Sequence, residues 1–246
     1  MKITWFVIVF VLGLSVSNVC ASVVETSPIA IITKIEGKAK VLPAAGIKKH
    51  KAHVGEGLLE GDRLISYQNT RILITLSDTS KIILNENAAL FFENNIHFNH
   101  IQGEIYYRIE KRQRRRGLQV ETPFSIIGIK GTEFIVRFDT EGEIALNEGL
   151  IGVHSLSEQF ELYEKKSDND FKAFEKEQND AFKAYQQQQE EGFRTYVKEF
   201  DLHANKVIRF SNANQCQQSC EKKVTQENIT PEIAKHFKSY QMMIGQ

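Results

Sequence analysis

Between Ile29 and Leu156 the chain is patterned for strands. The segments "IAIITKIEGKAKVL" (29–42), "TRILITLSDTSKIIL" (70–84), "IQGEIYYRIEK" (101–111), "EFIVRF" (133–138) and "EIALNEGLIGVHSL" (143–156) are rich in Ile, Val, Leu, Phe and Tyr. Many of their apolar residues recur at period two, which gives a strand one buried face and one wet face. Turn signals separate them: Glu36-Gly37, Glu60-Gly61-Asp62, Ser77-Asp78-Thr79-Ser80, Asn94-Asn95 and Glu141-Gly142. No helical stretch intervenes. Residues 22–157 are therefore expected to form one all-β domain, either a twisted antiparallel sandwich or solenoid-like sheets.

After Leu156 the pattern changes. From Val153 to Ile244 the only glycine is Gly192 and the only proline is Pro231. Aromatic pairs recur every eleven residues: Phe160/Tyr163, Phe171/Phe174, Phe182/Tyr185 and Phe193/Tyr196, with Ala204/Val207 as a fifth copy. Eleven residues make three turns at about 3.67 residues per turn, close to the α-helical 3.6. This spacing predicts one long α-helical, coiled-coil-like segment over 158–209, about 75–80 Å long at 1.5 Å per residue. Such an aromatic stripe calls for a covering surface, at roughly 1.5–3 kcal/mol for each ring. A homo-oligomer formed through the helix is the expected cover, and folding back onto the β domain is the alternative.

The N-terminus bears on compartment. Met1-Lys2 is followed by an almost uninterrupted apolar run from Ile3 to Val16, then by Val19-Cys20-Ala21. This reads as a Sec-type signal peptide cut after Ala21, giving a periplasmic or secreted protein. The run is short for a bilayer, which needs roughly 20 residues. A lipoprotein reading through Cys20 is weakened by Val19, because a small residue is wanted there. No transmembrane span is expected in the mature chain. Cleavage would leave Cys216 and Cys220, which suggests a disulfide in an oxidising compartment; a bridge between chains and free thiols remain alternatives. The tail from 210 to 246 is polar around this pair. It then gives "TPEIAKHFKSYQMM" (230–243), a short amphipathic helix with Thr230 as N-cap, Pro231 in its first turn, and Ile233, Phe237 and Tyr240 on one face.

Chemistry is harder to find. The chain of 246 residues has a formal net charge of zero, so bulk electrostatics does not recruit nucleic acid or an anionic membrane. The pairs His50/His53 and His97/His100 have a spacing that would meet at a metal on a helix. In a strand region, however, residues three apart face opposite sides, and loop histidines at the surface are the expectation. The spacing of Cys216 and Cys220 lacks the second pair of a zinc site. No nucleophile elbow, P-loop, dinucleotide fingerprint or zinc-protease motif occurs. No enzyme, metal or cofactor is expected. One charge run stands out, Lys111, Arg112, Arg114, Arg115 and Arg116. It reads as a solvated loop or as a contact for an anion, such as lipid headgroups, anionic glycan or an acidic partner. Nucleic acid is not an expected partner, because no aromatic residues interleave with the cluster.

Several phrases of the β half carry a resemblance. They are "IEGKAKV" (35–41), "VGEGLLEGDRL" (54–64), "ILITLSDTSKIILNENAAL" (72–90), "IQGEIYYRI" (101–109), "VETPFSIIGIKGTEF" (120–134) and "LNEGLIGV" (146–153). In this order they resemble the FecR-like domain of bacterial exported proteins, over about residues 30–155. The motif residues are Thr122, Pro123, Lys130, Gly131, Thr132 and Phe134. The family commonly has arginine where Lys130 stands, and the swap keeps the charge but loses a planar fork of donors. From the residues themselves, Pro123 suits a strand start or edge, Gly131 a bulge or close approach, and Phe134 an inward anchor. The resemblance implies a module that contacts other proteins. The named relative relays a signal from an outer-membrane receptor to a cytoplasmic sigma factor, which needs a retained cytoplasmic segment. With residues 1–21 read as a cleaved leader, that sigma-regulating activity is not expected to carry over. The expected function is a non-enzymatic scaffold or interaction head in the cell envelope. The alternatives are a glycan- or ligand-binding module of the periplasm, or a periplasmic signal-relay component.

Overall fold

The computed structural model describes residues 27–111, 117–139, 141–156, 159–164, 193–211 and 222–245. These residues form two sheets. In sheet A the hydrogen-bonded order is β4 (Gly57–Leu58), β1 (Ala30–Glu36), β6 (Arg71–Leu76), β7 (Lys81–Leu84), the second half of β9 (His97–Ile109), β12 (Thr132–Phe138) and β13 (Gly142–Glu148). It continues through β18 (Lys206–Ser211), β19 (Lys222–Asn228), β15 (Phe160–Glu164) and β16 (Phe193–Val197). In sheet B the order is β3 (His50–Lys51), β2 (Ala39–Leu42), β5 (Arg63–Ser66), β8 (Ala89–Phe92) and the first half of β9. Then come β10 (Leu118–Glu121), β11 (Ser125–Ile129), β14 (Leu150–Ser155) and β17 (Glu199–His203). All pairings are antiparallel except β9 with β10 and β15 with β19.

The chain repeatedly crosses from one sheet to the other, and a residue with positive φ stands at most of the described crossings. Among these are Gly37, Asn69, Asn87, Gly103, Gly131, Gly149 and Asn205. Glycine and asparagine enter this region at least cost, so the corners are where the sequence spends them. Successive corners stack closely. A Cβ added to Gly103 (φ +83°) would lie 2.5 Å from the Ala88 Cα, and one on Gly37 (φ +102°) would lie 2.5 Å from the Thr70 hydroxyl. The result is a pile of β-arches whose two legs form the two sheets.

The main core lies between the sheets. Sheet A contributes Ile72, Ile74, Ile82, Tyr107, Phe134 and Ile208 to it, and sheet B contributes Val41, Leu64, Leu90, Phe98, Val120 and Val153. A second core lies on the outer face of sheet A, where Leu73, Ile83, Tyr106, Ile135, Ala145 and Val207 meet α1 (Pro231–Ile244) through Ile233, Phe237 and Tyr240. Sheet A is thus covered on both faces. That explains why "ILI", "IIL" and "FIV" runs replace simple alternation there: neighbouring residues point into different cores. The helix has the ends its sequence suggests. The Thr230 hydroxyl accepts from the Ile233 N–H at 3.4 Å, and Gly245 closes the far end in the left-handed region.

The long helix over 158–209 is not found. Described residues of that span lie in β15, β16, β17 and β18. A spacing of three puts Phe160 and Tyr163 on opposite faces of a strand; Phe160 is buried against Phe200 and Phe210, whereas Tyr163 is half-buried. Phe193 begins β16, and Tyr196 on that strand is 50% exposed. Residues Phe200/Leu202 and Ile208/Phe210 follow period two around a left-handed turn at Asn205, and their sheet partners are β14 and β13, far away in sequence. Those long-range pairings override a local period that also suits a helix. Phe171, Phe174, Phe182 and Tyr185 lie outside the described residues. The histidine expectation also changes: His100 sits inside β9, fully buried. Among the described residues no helix is long and apolar enough to cross a membrane.

Replacing Gly103 by valine should destabilise the fold by about 2 kcal/mol or more, since it combines a disfavoured φ with a backbone clash. Urea denaturation of the purified variant measures this; an unchanged midpoint would show that the corner tolerates a side chain.

Candidate functional site

The densest ionisable constellation lies on the outer face of sheet A, along the helix. Strand register sets carboxylates and guanidiniums directly opposite one another in alternating sign: Glu104, Arg137, Glu143 and Arg209, with Glu227 completing the row. Arg137 Nε donates to Glu104 at 2.7 Å, and its Nη1 donates to Glu143 at 3.3 Å. Arg209 Nε donates to Glu143 at 3.0 Å, and its Nη1 donates to Glu227 at 2.8 Å. Opposite charges facing each other across strands are the favourable arrangement. The helix joins the row: the Tyr240 hydroxyl donates to Glu104, while Tyr106 (2.8 Å), Gln241 (2.9 Å) and Asn147 (3.0 Å) donate to Glu133. Arg71 lies 5.7 Å from the Tyr240 ring centroid and donates to Ser239 at 3.2 Å.

The electrostatics follow from this packing. Burial by itself would raise the Glu104 carboxyl, but the Tyr240 hydroxyl, Arg137 and His236 together hold it below the usual carboxylate range. Burial pushes the Tyr240 and Tyr106 hydroxyls far up, and their carboxylate neighbours add to the effect. Between the sheets, His100 Nε2 lies 3.1 Å from the Gly103 carbonyl, so it must carry the proton; Nδ1 then accepts from the Tyr107 hydroxyl at 3.3 Å. That neutral tautomer is fully bonded, and burial lowers the ring's pKa from 6.5 to about 4. These groups are bonded to one another: Glu104 is buried, while Arg137, Arg209 and Glu227 stay partly exposed along the row. Their bonds tie the helix to sheet A, which is a structural role.

The FecR-type motif is also architectural. Thr122 is buried and organises the turn between β10 and β11: its hydroxyl accepts from the Ser125 N–H at 2.9 Å, and its own N–H donates to the Ser125 carbonyl at 2.8 Å. Pro123 occupies that turn, exposed, as its missing N–H allows. Gly131 is the left-handed corner from β11 to β12, with the Lys111 side chain lying against it. Thr132 begins β12 and packs by Gly149. Phe134 is fully buried and stacks on Tyr107 at 4.8 Å. Lys130 is exposed beside the corner. Arg112, Arg114, Arg115 and Arg116 of the basic run, and Cys216 and Cys220, lie outside the described residues. His50 and His53 converge on Glu56, where His50 Nε2 lies 2.6 Å from one oxygen and the His53 N–H donates to the other at 2.9 Å.

A feature that motif reading missed lies on the outer face of sheet B. A groove of about 990 Å³ is lined by Lys38, Lys40, Lys51, Tyr67, Asn69 and Asn87, among others. Lys40 and Lys51 are register partners on β2 and β3. The Lys40 ammonium stands 5.7 Å from the Tyr67 ring centroid. The sequence signal was "KHK" opposite "KAK", visible only once the strands are paired.

Together these observations define a β scaffold of stacked arches, with a partly buried charged row on one sheet and an open lysine groove on the other. Residues 62–152 match the family model described as FecR protein. No curated protein matches the chain. Two solved structures resemble it, both of a protein from Parabacteroides distasonis described as a "putative anti-sigma factor". They share 13% and 12% identity and a TM-score of 0.45, over 70% of this chain. The match spans 62% of the length of those structures.

Two outcomes test the electrostatics. With His100 neutral to about pH 4 when folded and to about 6.5 when unfolded, the unfolded chain binds the extra proton between those values. Its contribution is complete above pH 6.5 and falls by about 3 kcal/mol as pH drops to 4. Denaturation at stepped pH should show this slope, and His100→Gln should flatten it. Glu104, whose folded pKa is depressed, contributes above its ordinary pKa and loses that contribution as pH falls through the lowered value. Tyr240→Phe removes its charge-assisted bond and should cost about 2 kcal/mol, read as faster hydrogen exchange across α1.

Proposed function

We propose that this protein is an exported, non-enzymatic regulatory module of the cell envelope that works by contact with other envelope components, as a signal-relay part would. The observation that carries the reading is the FecR match at residues 62–152, together with what its motif residues do. Thr122 and Gly131 shape turns, and Phe134 fills the core. A family signature that builds a scaffold leaves the surface free to vary with the partner. The buried titratable groups are engaged in internal hydrogen bonds, which supports a contact role over a catalytic one. Export rests on residues 1–21, which have the pattern of a leader.

Mass spectrometry of the mature N-terminus tests export: a chain beginning at Ser22 is expected, and an intact Met1 start in the envelope fraction would overturn it. For the contact role, a photo-crosslinking amino acid in place of Tyr196 on β16 should yield a discrete adduct in cells. A turnover activity of the purified chain would argue for a different class altogether.

A further inference from the structure

The groove on sheet B holds three lysines close together. On sheet A, Lys81 faces Arg108 and Glu133 faces Glu148, but Glu133 also faces Arg108 and accepts from Tyr106, Asn147 and Gln241, while Glu104, Arg137, Glu143 and Arg209 alternate in sign and bond directly. On sheet B, Lys40 faces Lys51 across β2 and β3, and both are exposed. Like charges placed directly opposite are destabilising. Lysine on an edge strand is an ordinary guard against unwanted pairing. That accounts for Lys51 on β3, but not for Lys40 one strand further in, or for Lys38 two residues before it on the same face. No carboxylate lies within ion-pair distance of these three among the described residues, whereas Lys34 nearby pairs with Glu36 at 2.8 Å.

The remainder of the lining is neutral and polar. Asn69 and Asn87 are left-handed corner residues stacked along the arches (φ 54° each), and their backbones are tied down. The Asn69 N–H donates to Glu86 at 2.8 Å, and the Asn87 carbonyl accepts from Gln102 at 2.9 Å. Their side-chain amides have no partner among the described residues, so two donor–acceptor groups line the groove beside the lysines. Further along the same face, Arg63 lies 5.8 Å from the Phe91 ring centroid, and its buried Nε is unbonded among the described residues.

We propose that this groove binds an acidic carbohydrate chain. Lysines supply charge to carboxylates. Side-chain amides suit hydroxyls, which donate and accept at once. The Tyr67 ring offers an apolar patch to a sugar face. A groove of about 990 Å³ is at the upper end of the range for small-ligand sites, and its course along the corner row fits an extended ligand. An acidic peptide would satisfy the lysines, and its backbone the amides, but it lacks the C–H face that a sugar ring lays on Tyr67. The inference rests on the groove and is independent of the relay reading.

The test uses mature chain 22–246 in calorimetric titration at low salt. The probes are an oligogalacturonide (acidic sugar), dextran (neutral sugar) and polyglutamate (acidic peptide). Saturable oligogalacturonide binding is expected, about tenfold or more tighter than either control and weakening with salt. Lys40→Gln/Lys51→Gln should lose that binding. The single variant Lys51→Glu keeps the test valid if the double variant does not fold. It should show a higher Tm, because opposite charges now face each other, together with the same loss. Absence of oligogalacturonide binding, equal binding of polyglutamate or dextran, or binding unchanged in Lys51→Glu would each overturn the proposal.

Discussion

The structure depends on a chain that changes sheet without losing its strand pairing. At most crossings the backbone swings away from its ladder through the left-handed conformation, which an L-residue with a Cβ resists. Glycine and asparagine solve this at Gly37, Asn69, Asn87, Gly103, Gly131, Gly149 and Asn205. Because each corner packs on the next, sheets A and B stay in step, and side chains from both legs of every arch fill one core. The FecR motif's Gly131 is one of these corners, so the family signature and the folding constraint meet in one residue.

Covering sheet A on both faces has an electrostatic consequence. Its outer face carries Glu104, Arg137, Glu143 and Arg209 beside an apolar patch, and α1 closes over the patch. Buried carboxylates are costly unless bonded. The alternating row across the strands, completed by Tyr240 and Gln241 from the helix, supplies the bonds. The helix therefore reads as part of the β body, held by packing and by hydrogen bonds to Glu104 and Glu133, although it lies more than a hundred residues away in sequence.

The β-rich character, the helix at residues 231–244 and the turn positions were legible because each depends on local pattern: period two, an N-cap followed by proline, and glycine beside acidic or polar residues. The continuous apolar runs of β6, β7 and β12 also carried a signal of double burial. What misled was the eleven-residue aromatic repeat. Its period suits a helix, but of its members Phe160 is held by β16 and β19 and Val207 by β13, and no window of the sequence shows those partners waiting. The lysine groove was illegible for the same reason. Lys40 and Lys51 are eleven positions apart, and nothing local shows that they face each other. His100 looked like half of a spaced surface pair because its burial is set by sheet crossing at Gly103.

The molecule is a stack of β-arches with a partly buried charged row on sheet A and an open lysine groove on sheet B. The claim on which this rests is that residues 199–211 complete both sheets. Nuclear Overhauser contacts in the mature protein test it most directly. The account predicts cross-strand contacts between Ala145 and Val207 and between Ile151 and Leu202, with the Tyr106 and Tyr240 rings in contact. A continuous series of helical amide–amide contacts from 199 to 209 would contradict it.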